Sequence, residues 1–252
     1  MKLIASDLDG TLLLNGASAL STETIGLLAA ALRGGYCFCA ASGRQYSSLR
    51  QLFAHLPGEH VYLCENGAIV YYKNTILSKS PIAPALCNEL IGRITAEERC
   101  DILISGANTS YLMPKDMQFV RHIRDFVGNR ITIVQNAAEI PEQIIKISAY
   151  CMDGAAACEA RYAHFRQEGL TVAVAGEKWL DFTLANKGTA LAAVSKALGI
   201  SQEDIYAFGD NFNDIEMLRF AKHSYAMQAA APAVKAAAAH ECRTVDEVLR
   251  KL

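Results

Sequence analysis

Apolar and polar positions follow two rhythms along this chain, and the change between them predicts two kinds of structural unit. Short, almost wholly apolar runs at 2–7, 36–41 and 61–64 read as buried strands, each running into turn residues. Between them, apolar positions at helical spacing predict helices over 22–33 and 46–54. The first is capped by Ser21 or Thr22 and ended by Gly34-Gly35. Residues 68–78 read as a hairpin that turns at Lys73-Asn74. The same rhythm resumes late in the chain, with a helix at 187–198, a strand at 205–208, a helix at 213–220 and a strand at 224–227. Helices after Pro232 and from Thr244 complete it. Strands alternating with helices predict an α/β fold: a doubly wound, Rossmann-like core with a parallel sheet.

The middle of the chain departs from that rhythm. From 83 to 183 the pattern reads helix, strands at 101–106 and 110–113, helix at 116–127, and strand at 131–134. A short helical segment at 139–143, a strand at 144–151, a helix at 154–168 and strands at 170–175 and 178–183 follow. Strands that succeed one another without crossover helices predict an inserted α+β domain with a meandering sheet. The core is then discontinuous, 1–82 and 184–252, and 83–183 is the insert. Pro81 and Pro84 mark the crossing, and Ala185-Asn186 the return. The Ala-rich stretch 229–239 reads as a packed helix, and Trp179 as a packed aromatic in an insert strand.

Composition narrows the partners. Apolar residues make up 52% of the chain, enough for two cores. Lys+Arg 24 against Asp+Glu 26 leaves a formal charge of −2. No basic patch or polybasic tail invites nucleic acid or an anionic membrane, so the expected partner is a small molecule. No apolar run is long enough to span a bilayer. Asp7 and Asp9 interrupt the first apolar stretch before it can resemble a signal peptide. The eight cysteines, Cys37, Cys39, Cys64, Cys87, Cys100, Cys151, Cys158 and Cys242, show no Cys-x-x-Cys spacing, which argues against zinc and thioredoxin-like chemistry. Cys37 and Cys39 alternate in a strand and are expected on one buried face. These features point to a reduced, cytoplasmic setting.

Four short constellations carry the candidate chemistry. Asp7 and Asp9 end the first strand, on one side of the chain if it stays extended, and Gly10 follows as a turn. Two converging acids attract a cation or share a proton. Ser42-Gly43-Arg44 follows the second strand, where a hydroxyl and open backbone amides suit a phosphate. Lys187 opens a helix, where its charge opposes the helix dipole unless an anion stands in front of it. Gly209-Asp210-Asn211-Phe212-Asn213-Asp214 follows another apolar strand, so Asp210 can lie beside Asp7 at the sheet edge; Asn213 or Asp214 could equally cap the next helix. Singly, each has a plain reading as turn, cap or surface charge. Together they supply three carboxylates for a hard cation such as Mg²⁺, donors for phosphate oxygens, and a lysine for the remaining charge. Phosphoryl transfer needs these parts, because positioning and charge neutralisation carry most of its catalysis.

Asp7-Leu8-Asp9-Gly10-Thr11, Ser42-Gly43-Arg44, Lys187-Gly188 and the 209–214 segment, in this order, resemble the haloacid dehalogenase superfamily of phosphatases. The closest likeness is to its Cof-type branch with an α/β cap, and Asn66-Gly67-Ala68 fits that branch as well. The resemblance implies that Asp7 attacks phosphorus to form an aspartyl-phosphate. Asp9 would protonate the leaving oxygen and then activate water. It implies Mg²⁺ held by the Asp7 carboxylate, the Asp9 backbone carbonyl and Asp210, with Asp214 in support. Ser42, Gly43, Lys187 and Asn213 would bind the phosphate, Lys187 would orient Asp7, and Arg44 and Asn66 are candidate substrate contacts. The cap would close over the site and its loops would choose the substrate.

One segment departs from the family pattern: Ala226-Met227-Gln228-Ala229-Ala230 stands where the family often has Ala-Met-Gly-Asn-Ala. The loss alters a loop near the phosphate but touches none of the residues given a chemical role. The expected function is a Mg²⁺-dependent phosphatase of a small phosphate monoester, a sugar phosphate or a phosphorylated cofactor, working as a monomer or homodimer. A phosphomutase of the phosphomannomutase type and a non-catalytic phospho-ligand sensor are the alternatives. Retention of both Asp7 and Asp9 speaks against the sensor.

Overall fold

The computed structural model describes residues 1–252, the side chain of Phe126 excepted. The chain divides into two compact units, Met1–Ser78 with Asn186–Leu252, and Lys79–Ala185. It begins with β1 (Lys2–Ser6), α1 (Thr22–Arg33), β2 (Tyr36–Ala41), α2 (Tyr46–Leu52) and β3 (Val61–Cys64), then β4 (Ile69–Tyr72) and β5 (Thr75–Lys79). The second unit follows with α3 (Pro84–Ala96), β6 (Cys100–Ser105), β7 (Ser110–Leu112), α4 (Met117–Arg121) and β8 (Ile131–Ile133). It continues through β9 (Lys146–Cys151), α5 (Ala155–Tyr162), β10 (Thr171–Val174) and β11 (Trp179–Thr183). The return comprises α6 (Lys187–Leu198), β12 (Ile205–Gly209), α7 (Ile215–Phe220), β13 (His223–Met227), α8 (Pro232–Lys235), β14 (His240–Cys242) and α9 (Val245–Leu249). Among the described residues no helix is long and apolar enough to cross a membrane.

The first unit carries an eight-stranded sheet in the order β14-β13-β12-β1-β2-β3-β4-β5. Pairing is parallel from β14 through β3 and antiparallel between β3 and β4. The chain moves outward from β1 through β2 and β3 on one side, and through β12, β13 and β14 on the other. The winding therefore reverses between β1 and β12, and such a switch point leaves a crevice at the strands' carboxyl ends. Register there is direct, with Ala5 opposite Ala207 and Ser6 opposite Phe208. Leu3, Ala5, Cys37, Cys39, Val61 and Leu63 line one face of the sheet and pack under α6 and α7 through Leu191, Val194, Met217 and Leu218. On the other face Phe38 meets Phe53, ring centroids 5.0 Å apart. Burial on both faces is why these strands read as unbroken apolar runs. Between β4 and β5, Lys73 and Asn74 both take positive φ, 50° and 60°, the turn geometry that suits tight hairpins.

The second unit has a six-stranded sheet, β10-β11-β9-β6-β7-β8, antiparallel except for the β7–β8 pair. Leu90, Ile91 and Ile94 of α3 and Cys158 of α5 pack against Ile102, Ile104, Ile147 and Phe182 on one face. Phe119 and Val120 of α4, with Ile123, cover Leu103 and Leu112 on the other, beside Tyr150 and Trp179. Trp179 is a packed aromatic, its ring 4.8 Å from Tyr150 and 6.2 Å from Phe119.

Three readings of the sequence change. The Ala-rich stretch 229–239 is helical only over Pro232–Lys235, because the chain must then extend to add β14 beside β13. β14 is three residues with one buried side chain, too short to show alternation. The helix expected to run to residue 168 leaves α geometry after Tyr162 and ends as a 3-10 turn, Ala163–Arg166. The helix expected over 116–127 is α4 followed by a π-helical turn, His122–Val127, with Gly128 left-handed at φ 77°.

Candidate active site

Asp7 is the first residue after β1, and its N–H donates to Phe208 O across the switch point at 2.9 Å. Asp210 is the first residue after β12, which sets it beside Asp7. Lys187 is the first residue of α6, whose N-terminus is closed by reciprocal capping between Asn186 and Thr189. That cap satisfies the Thr189 and Asn186 amides without using the Lys187 side chain, which turns inward. Its ammonium donates to Asp7 Oδ1 at 2.5 Å and to Asp214 Oδ1 at 2.6 Å, and the Lys187 side chain is fully buried. The lysine whose charge opposes its helix is thus met by two carboxylates.

Asp214 is saturated. Besides Lys187 it accepts the N–H groups of Asp210 and Asn211 on Oδ2, both at 3.0 Å, which folds the loop after β12 onto it. Asp210 Oδ1 accepts from the Thr11 hydroxyl at 2.8 Å. Asp7, Asp210 and Asp214 each present a carboxylate oxygen within 4.8 Å of the other two.

Three acids facing one lysine in a buried place are electrostatically unbalanced. Burial pushes the Asp7 carboxyl up to about 8 against the pull of the Lys187 ammonium, and the charges of Asp214 and Asp210 add to the rise. Burial likewise raises the Asp210 carboxyl, and the Thr11 hydrogen bond opposes it. For Lys187, burial acts to discharge the ammonium, but Asp214 and Asp7 outweigh it and hold the group above its ordinary value. An all-oxygen donor set with surplus negative charge fits a hard divalent cation.

A second arc lies at the ends of β2 and β3. Ser42 is buried, and its Oγ accepts from the Arg44 N–H at 3.2 Å. Asn66 N donates to Ser42 O at 3.0 Å. Glu65, Asn66 and Gly67 take positive φ in succession, 51°, 57° and 101°, a run that costs backbone strain. That bend delivers Asn66 Oδ1 to Asn213 Nδ2 at 3.1 Å, across 147 positions of sequence, and Gly43 lies against the same Asn66 amide. Asn213 Oδ1 is buried without a hydrogen-bond partner, an acceptor still open to a donor. Asp9 stands apart from the other acids: Arg44 holds its carboxylate in a two-pronged ion pair, and its side chain is 60% exposed.

Thr11 was not among the expected site residues. A lone hydroxyl inside an acidic motif offers no spacing by which to find it. Gly10 has φ 93°, and a Cβ there would lie 2.4 Å from Asp210 Oδ2, so only glycine lets the first loop pass that carboxylate.

Comparison with known proteins agrees with this geometry. The family profile described as haloacid dehalogenase-like hydrolase matches residues 4–250. The 5-amino-6-(5-phospho-D-ribitylamino)uracil phosphatase YbjI of Escherichia coli K12 is 26% identical over 241 residues, 94% of this chain and 89% of that protein. The pyridoxal phosphate phosphatase YbhA of the same organism is 27% identical over 249 residues, 94% and 91% of the two chains. In fold, a haloacid dehalogenase-like hydrolase from B. subtilis superposes with a TM-score of 0.86 at 21% identity, covering 100% of both chains. Phosphatases of this family generally use a divalent metal. An acid pair after β1, a lysine at the start of α6 and a third acid after β12, on this sheet order and along nearly the whole chain, have one common source: the protein belongs to the haloacid dehalogenase-like hydrolases, as a phosphatase of their Cof-type branch.

Proposed function

We propose that this protein is a Mg²⁺-dependent phosphatase that hydrolyses a small phosphate monoester, a sugar phosphate or phosphorylated cofactor, through an aspartyl-phosphate on Asp7. The observation that carries the proposal is the grip of Lys187 on Asp7 Oδ1 at the switch point beside Asp210. It turns one Asp7 oxygen inward to the lysine and leaves the other as the nucleophile. Two E. coli relatives named for small phosphate esters support the substrate class.

The chemistry follows from the residues. The substrate phosphate is held by the Ser42 hydroxyl, the Gly43 amide, the Asn213 side chain and Lys187. Asp7 attacks phosphorus, forming an acyl-phosphate bond as the ester P–O bond breaks, and Asp9 gives its proton to the departing oxygen. Asp9, now a carboxylate, takes a proton from water, whose oxygen attacks phosphorus and releases the Asp7 carboxylate and inorganic phosphate. Mg²⁺ would be held by the Asp7 carboxylate, the Asp9 backbone carbonyl and Asp210, with Asp214 behind them, and when bound it offsets the negative charge of the phosphate.

The test is phosphate release across a panel of phosphate monoesters, with Mg²⁺ and with chelator, for the native protein and for Asp7→Asn. Release that needs Mg²⁺ and disappears in the variant is expected. Release that persists in Asp7→Asn, or that is indifferent to chelator, overturns the mechanism.

A further inference from the structure

Three cysteines that no sequence spacing links meet inside the second unit. Cys100 opens β6 and Cys151 closes β9, directly opposite each other in antiparallel register, while Cys158 sits in α5, which packs on that sheet. Their sulfurs all lie within 4.8 Å of one another. All three are buried, at 2%, 0% and 1% exposure.

Apolar packing alone accommodates small buried thiols. It does not account for two polar groups beside them, one on the same helix as Cys158 and one in contact with its sulfur. Tyr162, one helical turn beyond Cys158, is 2% exposed, and its hydroxyl has no hydrogen-bond partner. At i+4 from Cys158 it lies on the same face of the helix. A buried phenol ordinarily finds an acceptor or donor. From the outer side, Arg161 sets Nη2 3.0 Å from Cys158 Sγ and Nη1 2.8 Å from Glu97, whose backbone carbonyl accepts the Cys100 N–H.

We propose that Cys100, Cys151 and Cys158 bind one thiophilic divalent cation of the zinc class, with the Tyr162 hydroxyl at the fourth position and Arg161 as the charged outer partner. Three sulfurs and one oxygen meet the preference of such an ion for four ligands. Each thiol loses its proton as the ion binds. Three thiolates and a divalent ion leave one net negative charge, and the Arg161 guanidinium against Cys158, shared with the part-exposed Glu97 carboxylate, offsets part of it. Near-neutrality is what a buried ionic cluster requires. A monovalent soft ion would leave a further negative charge uncompensated. Soft sulfur donors here and hard oxygen donors around Asp7 select different metals.

The test is a Cd²⁺ titration of the reduced, full-length protein in excess Mg²⁺, read by thiolate-to-metal charge transfer in the ultraviolet. One Cd²⁺ per chain is expected to develop the band, Cys158→Ser to lose it, and Arg161→Ala to weaken binding about 10- to 100-fold. X-ray absorption of the native protein with one equivalent of Zn²⁺ is expected to show three sulfur ligands and one oxygen, a reading that does not depend on any variant folding. Absence of the band, a band unchanged in Cys158→Ser, or fewer than three sulfurs around zinc overturns the proposal.

Discussion

Arg44 grips the Asp9 carboxylate with two hydrogen bonds, Nε to Oδ2 at 3.0 Å and Nη2 to Oδ1 at 2.5 Å. The pair joins the loop after β1 to the loop after β2 and gives an otherwise exposed acid one orientation. An exposed ion pair contributes little to stability, on the order of 1 kcal/mol or less. Its effect should be on geometry. Arg44→Ala is expected to lower kcat, by up to about 10²-fold if the acid swings away, while leaving the thermal midpoint nearly unchanged. Separate measurement of kcat, KM and Tm checks this. An unaltered kcat would mean that Asp9 is positioned without Arg44.

Lys187 joins Asp7 to Asp214 in a fully buried cluster. Removing its charge strands two buried carboxylates, a loss of about 3–5 kcal/mol for broken buried pairs. Lys187→Met should therefore unfold at much lower urea than the native protein. Adding Asp214→Asn should recover part of the loss, because one stranded charge is gone. If the single variant unfolds at the native urea concentration, the cluster does not carry the assigned energetic role.

Gly10→Ala should damage activity more than fold. A Cβ at this position meets Asp210 Oδ2 at 2.4 Å and also strains a left-handed backbone. The cheapest relief is for the Asp210 carboxylate to turn away and give up its Thr11 bond. The expected result is a raised Mg²⁺ requirement for phosphate release, with stability reduced by roughly 1–3 kcal/mol. A Mg²⁺ dependence equal to that of the native protein would contradict it.

His60 should make the fold sensitive to mild acid. It is 3% exposed, its Nε2 lies 3.2 Å from Leu56 O, and its Nδ1 has no partner. Burial holds its pKa below the ordinary imidazole value, despite the opposing Leu56 bond. Below about pH 6.5 the unfolded chain takes up a proton that the folded one refuses, so stability falls as pH drops through this range. The decline is at most about 1.4 kcal/mol per pH unit for one proton, and it ends once the folded histidine also protonates. Urea melts between pH 7 and 5 should show a shallower decline in His60→Leu. An identical slope would assign the acid sensitivity to other groups.

Much of the scaffold is local and was therefore legible in the chain. The apolar runs of β1, β2, β3 and β12, the capped start of α1, the start of α6 and the turn at Lys73-Asn74 follow from side-chain period and turn chemistry over a few neighbouring residues. Asp7, Ser42, Lys187 and Asp210 were recognisable for the same reason, since each stands directly at a strand end or helix start. β14 and the end of the helical run after Pro232 were not legible, because they answer to the edge of β13 rather than to their own residues.

The pairings that build the proposed site belong to the tertiary structure. Nothing in the local sequence says that Lys187 will choose Asp7 and Asp214, that Arg44 will close on Asp9, or that Asn66 will bend back to reach Asn213. Cys100, Cys151 and Cys158 defeat spacing rules altogether, because strand register brings the first two together and helix packing adds the third. A sequence determines which groups a protein possesses and which local shapes they favour. Their charges and hydrogen bonds act over only a few ångströms, and whether residues far apart in the chain come that close is decided by the order in which the strands assemble.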